Sequence, residues 1–290
     1  MGDKTAIQWT DATWNPVVAY ANGKRGWMCT KPSDGCKNCY AERLNKVYGN
    51  GLDYTHKNAD AVEWRLANLE QPLKWKKPRR IFVESMSDLF HEKVPDEFID
   101  RVFKVMQSAR HHAFQVLTKR PERMRDFLKN KVSVPWGGYS FPDPWGKHIW
   151  LGTSIENQKT ADERIPLLLQ TLAAIRWISV EPMLGPVDLR ALNGLDWVVI
   201  GGESGSKARP FNVQWARDII SQCRVAGIPV FIKQLGSKPG FKLEDEERQG
   251  NLMPGFHHSE TGLYIKRLRD SHGGDMSEWP TELRIREYPI

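Results

Sequence analysis

The sequence predicts an α/β protein whose parallel strands build a partial or full (β/α) barrel. Three observations predict it: short, near-continuously apolar runs, helical stripes between them, and polar residues at the C-terminal ends of the runs. The runs are Thr13–Tyr20, Arg80–Ser85, Ala113–Thr118, Ile149–Ser154, Arg176–Val180, Trp197–Gly201 and Val230–Lys233. They lack polar alternation, as expected of strands covered on both faces.

Helix signals fill the gaps. Tyr40–Tyr48 stops near Gly49 and Gly51. Pro95–Arg110 places Phe98, Val102, Val105, Met106 and Ala109 on one stripe. Pro121–Lys129 opens on a proline suited to a first helical position, Thr160–Leu172 is apolar in its second half, and Val213–Val225 carries a further apolar face. Alternation at this spacing predicts right-handed crossovers within a single barrel domain over residues 1–290. Residues 131–147 read as an insertion, a lid or a long connection, and 236–290 as a loop-rich C-terminal region in which Glu282–Tyr288 adds one more short strand.

Composition narrows the setting. No run of about 18 apolar residues exists, so no membrane helix is expected. Met1-Gly2-Asp3-Lys4 lacks the apolar stretch of a secretory leader, which makes the cytoplasm the expected compartment. The net charge of +7 and pI near 9.2 favour phosphate-rich partners: DNA, RNA or a nucleotide. The basic run Lys74–Arg80 reads either as a solvated loop or as a phosphate contact whose Trp75 stacks on a base. The twelve tryptophans are expected to pack the core or line a pocket. His111-His112 and His257-His258 are read as solvated or hydrogen-bonded rather than metal-binding.

Four cysteines are present, and Cys29, Cys36 and Cys39 fall within eleven residues. A disulfide framework needs pairs spread along a short secreted chain, so a tight trio points to metal. Cys223 falls on the apolar face of Val213–Val225 and is assigned to the core. Thiolates are the preferred ligands of a [4Fe–4S] cluster, and three of them leave one iron with an open position. That position can take the amino and carboxylate groups of S-adenosylmethionine. Pro32 and Gly35 let the loop wrap a compact centre, and Cys39 opens a helix whose N–H groups stabilise a thiolate. Two other chemistries compete: zinc held by the trio plus a histidine such as His56, and a Cys-x-x-Cys redox pair.

Active sites of α/β barrels form at the C-terminal strand ends. There this chain places Glu84, Ser85 and Asp88, then Thr118, Lys119 and Arg120, then Ser154 and Glu156, then Glu181, Glu203, Lys233 and Gln234. Glu84, Ser85, Thr118, Ser154, Glu181 and Glu203 are candidates for holding the amino and ribose groups of S-adenosylmethionine. Asp88, Lys119, Arg120, Glu156, Lys233 and Gln234 are candidates for substrate, the cations suiting a carboxylate or phosphate. Charges that merely satisfy one another at the rim are the competing reading. Gly201-Gly202-Glu203-Ser204-Gly205 resembles a phosphate-cradling turn but lacks the Gly-x-Gly-x-x-Gly spacing.

Three cysteines after a first strand, opening a helix of an α/β barrel, resemble the radical S-adenosylmethionine superfamily. The usual spacing there is Cys-x3-Cys-x2-Cys, whereas this chain has Cys-x6-Cys-x2-Cys, so only the second gap matches. A fuller likeness is to the phage Gp37/Gp68 family. It rests on Thr13-Trp14-Asn15-Pro16, Cys29 to Cys39-Tyr40-Ala41-Glu42-Arg43, Ser87-Asp88-Leu89-Phe90, Leu117-Thr118-Lys119-Arg120-Pro121, Val180-Glu181-Pro182 and Gly201-Gly202-Glu203-Ser204-Gly205. The segment Val18–Met28 lengthens the approach to the trio beyond that pattern.

The resemblances imply a radical-type iron–sulfur enzyme, fed by an electron donor, that modifies or repairs a nucleic acid or nucleotide. Two alternatives stand beside it: a non-catalytic nucleic-acid-binding protein with a structural iron–sulfur or zinc site, and a cluster enzyme that does not use S-adenosylmethionine.

Overall fold

The computed structural model describes residues 5–132, 145–190, 192–242, 256–259 and 262–289. They form two compact units. The first runs to Ser154 and includes Arg164–Trp177; the second is Ile155–Glu163 with the chain from Ile178.

The first unit opens with β1 (Ala12–Trp14), β2 (Val17–Ala21) and β3 (Lys24–Gly26), followed by α1 (Tyr40–Tyr48), α2 (His56–Ala61), β4 (Glu63–Leu66) and α3 (Gln71–Lys74). Strand–helix alternation then begins: β5 (Arg80–Val83), α4 (Asp96–Ser108), β6 (Ala113–Thr118), α5 (Pro121–Val132), β7 (Ile149–Ile155), α6 (Gln158–Leu169) and β8 (Ile175–Val180). The second unit continues with β9 (Trp197–Gly201), β10 (Phe211–Asn212), α7 (Val213–Ala226), β11 (Val230–Gln234), β12 (Pro239–Phe241), β13 (Phe256–His258) and β14 (Tyr264–Lys266).

Seven strands make one parallel sheet in the order β1-β5-β6-β7-β8-β9-β11, with β8 shared by the two units. Every residue of β7 and of β9 is buried, which is why these segments read as unbroken apolar runs. Large aromatic side chains fill the faces of the first unit. Trp9 packs against Phe82 at 4.7 Å and Trp177 at 5.3 Å between ring centroids. Gly152 on β7 lets the Trp177 ring lie on the strand backbone, because a Cβ there would come within 2.6 Å of it. Cys223 is fully buried on α7, as its position on the apolar face requires.

The expected strand Thr13–Tyr20 is two strands in two sheets. Pro16 has no N–H to give a ladder, and Asn15 turns its side chain outward to accept from Met86 N–H at 3.0 Å and the Ser85 hydroxyl at 3.2 Å. The chain then leaves the parallel sheet and forms the antiparallel sheet β3-β2-β4. The β2–β3 hairpin turns on Asn22-Gly23, with φ of 49° and 73°, the pair of left-handed residues a two-residue turn needs.

This small sheet, α1 and α2 enclose their own apolar cluster, built on Val18, Ala19, Trp27, Met28, Ala41 and Tyr54, and Cys29 and Cys39 pack against it. Asn45 of α1 is fully buried and ties the assembly together. Its Oδ1 accepts from Trp27 N–H at 2.9 Å, and its amide donates to Asn50 Oδ1 at 2.8 Å and to the Leu52 carbonyl at 3.0 Å.

In the second unit β10-β12-β14-β13 form a four-stranded sheet, so the segment read as loop-rich after residue 236 also holds three short strands. Residues 282–288 do not form a regular strand. Arg286 makes one antiparallel bridge to Phe231, and Trp197 Nε1 donates to the Glu287 carbonyl at 2.8 Å. Most of the expected insertion, residues 133–144, lies outside the described residues. Among the described residues no helix is long and apolar enough to cross a membrane.

Candidate thiol site at the parallel strand ends

In the first unit the parallel strands share one C-terminal edge, and the site is built there. Asp88 follows β5 and Arg120 follows β6. The Asp88 carboxylate is saturated. It accepts from Thr118 Oγ1 at 2.7 Å, Phe90 N–H at 3.0 Å, Lys119 N–H at 3.1 Å and Arg120 Nη1 at 3.0 Å. Burial raises its pKa, but the Arg120 guanidinium and these hydrogen bonds outweigh that and hold the carboxyl below its ordinary value.

Arg120 is engaged on every side. Its Nη2 donates to Thr30 Oγ1 at 2.6 Å, its Nε donates to Glu92 Oε2 at 3.0 Å, and Nη1 also lies 3.8 Å from Cys29 Sγ. Burial lowers its pKa; the Asp88 carboxylate and the other anions around it raise the net value above the ordinary arginine range.

His91 completes this wall. It is fully buried and stacks on Trp64 with centroids 5.2 Å apart. Nδ1 accepts from Lys93 N–H at 3.1 Å, which leaves Nε2–H to donate to Thr30 Oγ1 at 3.1 Å. Burial, then the nearby Arg120 charge, pull its pKa down to about 4, so the ring is neutral at physiological pH. Thr30, His91 and Glu92 escaped the sequence reading. Their only signal was adjacency to Cys29 and to the Ser87–Phe90 motif.

The three candidate thiols stand beside this wall, each partly buried and none in a disulfide. They lie close enough that the charges of Cys36 and Cys39 act on Cys29. Desolvation pushes the Cys29 and Cys39 thiols up, and Arg120 opposes it at Cys29. At Cys39 the opposing groups are the backbone N–H of Glu42 and Ala41, in the first turn of α1, and the charge of Lys119. A thiol-only donor set of this kind suits a soft metal or an iron–sulfur cluster, whose own positive charge would deprotonate it. Among the described residues, however, no three His, Cys, Asp or Glu side chains are already in a metal-holding arrangement. His56, the fourth ligand of the zinc alternative, is exposed and sits 3.5 Å from Glu92.

Glu84 is buried and has a left-handed backbone, φ 59°, directly after β5. Residues held there without being glycine cost of order 1–3 kcal/mol and cluster at functional sites. Its carboxyl accepts from Val17 N–H at 2.7 Å and shares a short hydrogen bond with Ser87 Oγ, pinning the corner where the chain leaves β1 for β2. Burial pushes its pKa from 4.5 up to about 8. A carboxyl raised in the folded state holds its proton there after the unfolded chain has released it. Its contribution is thus present below pH 4.5 and lost as pH rises toward 8. Glu84→Gln, which keeps both hydrogen bonds without the charge, should flatten the fall in urea midpoint between pH 5 and pH 8. An unaltered slope would place that pH dependence elsewhere.

The remaining first-unit candidates are also engaged. The Ser85 carbonyl accepts from the Tyr40 hydroxyl, and the Ser154 carbonyl accepts from Arg164 Nη1 at 2.7 Å. Within the second unit, Lys233 Nζ pairs with Glu181 at 2.9 Å, Arg209 with Glu203 at 2.7 Å, and Gln234 Nε2 donates to the Gly202 carbonyl at 3.1 Å. Glu156 is fully buried, and its carbonyl accepts from Leu184 N–H at 2.8 Å. The Gly201-Gly202 pair has a packing reason. A Cβ on Gly201 would meet the Glu181 carboxylate at 2.4 Å, and one on Gly202 the Leu235 carbonyl at 2.4 Å.

Trp75 is buried under Arg79, whose guanidinium lies 4.7 Å over its ring, and its carbonyl pairs with His111 Nε2 at 2.7 Å. The expected stacking of Trp75 on a base therefore has no open ring face. The basic loop also leads into the N-terminal end of β5, opposite the thiols.

Fold and site together define an α/β protein with a three-cysteine loop set at the C-terminal edge of a parallel sheet. The chain belongs to the family described as "Protein of unknown function (DUF5131)", whose model matches residues 4–262. Comparison with curated proteins and with solved structures gave no match.

Proposed function

We propose that this chain is an iron–sulfur enzyme of the radical S-adenosylmethionine type, acting in the cytoplasm on a nucleic acid or nucleotide-type substrate. The observation that carries the reading is the group of three undisulfided thiols on one loop at the parallel strand ends, with the Arg120 guanidinium 3.8 Å from Cys29. A strand order of parallel neighbours with the loop at their C-terminal edge supports the likeness to the radical barrel.

Cys29, Cys36 and Cys39 would hold a [4Fe–4S] cluster through three irons. Bound there, such a cluster would supply one-electron reduction of S-adenosylmethionine, with the electron coming from an external donor. The chain's own groups have separate tasks. Arg120, oriented by Asp88 and Glu92, offsets the negative charge that gathers on the sulfurs. The α1 N-terminus does the same at Cys39. Lys119, whose charge reaches Cys39, is the residue to receive the S-adenosylmethionine carboxylate or a substrate phosphate. The excess of cations in the chain, +7, supports a polyanionic substrate.

Protein prepared without oxygen, reduced in the presence of S-adenosylmethionine, should release 5′-deoxyadenosine. A loaded cluster that yields none under reduction would move the chain to the structural or electron-transfer class.

A further inference from the structure

Thr30 follows Cys29 directly and is 3% exposed. A buried hydroxyl has one proton to give and two lone pairs to fill, and here all three are used. Thr30 Oγ1 donates to Glu92 Oε1 at 3.3 Å and accepts from Arg120 Nη2 at 2.6 Å and from His91 Nε2 at 3.1 Å. His91 is a fixed donor, because the ring is fully buried, stacked on Trp64 and held through Nδ1 by Lys93 N–H. With two donors in place, the hydroxyl proton is directed to Glu92.

These bonds decide where the Arg120 guanidinium points. The group is planar and rigid, so fixing two of its nitrogens fixes the third. Thr30 takes Nη2, and Glu92 Oε2 takes Nε at 3.0 Å. Thr30 also steadies Glu92 for that task, since its own proton goes to the other carboxylate oxygen. What remains is Nη1, with two N–H groups. Its contacts are Asp88 Oδ2 at 3.0 Å and Cys29 Sγ at 3.8 Å. The Cys29 thiol in turn donates to the Thr30 carbonyl at 3.3 Å. Thr30 therefore reaches one sulfur by two routes, directly through its backbone and through Arg120 by its side chain.

We propose that Thr30 is a positioning residue for the thiol centre: its hydroxyl aims Arg120 at Cys29, and Arg120 so aimed makes a metal centre on these thiols easier to reduce. A cation and an N–H group at a ligating sulfur favour the more negative, reduced state. Without the hydroxyl, Nη2 loses its acceptor and the guanidinium is held only by its two carboxylates. The inference rests on the cluster reading above and deepens it by naming the residue that sets the potential of the centre.

The experiment is a redox titration of anaerobically reconstituted full-length protein, followed by electron paramagnetic resonance. Iron content and circular dichroism are read on every variant. Thr30→Val should make reduction about tenfold less favourable, the worth of one hydrogen bond to a charged group, which is a downward shift of about 59 mV for one electron. Thr30→Ser, which keeps the hydroxyl, should stay near wild type. Arg120→Lys keeps the charge and loses the fork, so a similar shift is expected. Adding Thr30→Val to it should lower the potential no further, because Thr30 acts through the guanidinium. Should the valine variant not fold, Thr30→Ala removes the same hydroxyl without setting a methyl group against Arg120. A wild-type potential in the variant lacking the hydroxyl, an equal fall in Thr30→Ser, or additive shifts in the double variant would each overturn the assignment and leave the cluster reading standing. Loss of iron from both the valine and the alanine variants would make Thr30 a structural residue and overturn it too. If the wild-type protein takes up no iron–sulfur cluster, both are wrong.

Discussion

Replacing Cys36 with Ala should abolish iron uptake. Protein reconstituted without oxygen should carry about four iron per chain and absorb in the visible, and the variant should carry close to none. Only Cys29, Cys36 and Cys39 lie together, and Cys223 is buried on α7 in the second unit, where its thiol is pushed up to about 12 by burial. Two thiols cannot hold a four-iron cluster, so the loss is all-or-none rather than graded. Cys223→Ala should leave the iron unchanged, which separates ligand loss from general damage. Stoichiometric zinc in anaerobic wild-type protein, with no visible absorption, would overturn the assignment.

Arg120→Leu should cost about 3–5 kcal/mol of stability, the range for breaking a buried ion pair from one side. The side chains of Arg120 and Asp88 are 13% and 7% exposed, so solvent screens the pair weakly. Removing the guanidinium leaves the Asp88 carboxylate buried against three remaining donors and takes one donor each from Thr30 and Glu92. Replacing both partners, Arg120→Leu with Asp88→Leu, should cost less than the first change alone, because no charge is left behind. The measurement is the urea midpoint of each variant against wild type. A loss under about 1 kcal/mol for Arg120→Leu would show the network to be solvated and unimportant to the thiol wall.

Much of this architecture is legible in the sequence, for a physical reason. Strands β5 to β9 and β11 are covered on both faces, so their apolar runs stand out and their boundaries fall within a residue or two. The cysteine trio stands out because its three thiols fall within eleven residues of one loop. The small sheet β3-β2-β4 was hidden by its own composition. Lys24-Arg25 and Glu63-Trp64-Arg65 put charge outward on short edge strands, and such segments read as loop. The Asn22-Gly23 turn was the available signal for that hairpin, and Pro16 was the signal for the break after β1. The partners of the strand-end residues were illegible altogether. Sequence places Asp88 and Arg120 at strand ends, but only the fold brings Arg120 to Cys29, Thr30 and Glu92. Glu84 illustrates the same limit: its type suggests a ligand, and its left-handed backbone and bond to Val17 N–H make it a brace of the β1–β2 corner.

Whether one iron lacks a protein thiolate is read from electron paramagnetic resonance of the reduced protein. Adding S-adenosylmethionine to anaerobically loaded, dithionite-reduced protein should change the cluster spectrum, because its amino and carboxylate groups would coordinate that iron. An identical spectrum at saturating S-adenosylmethionine, from protein carrying its full iron, would contradict an iron free of protein thiolate.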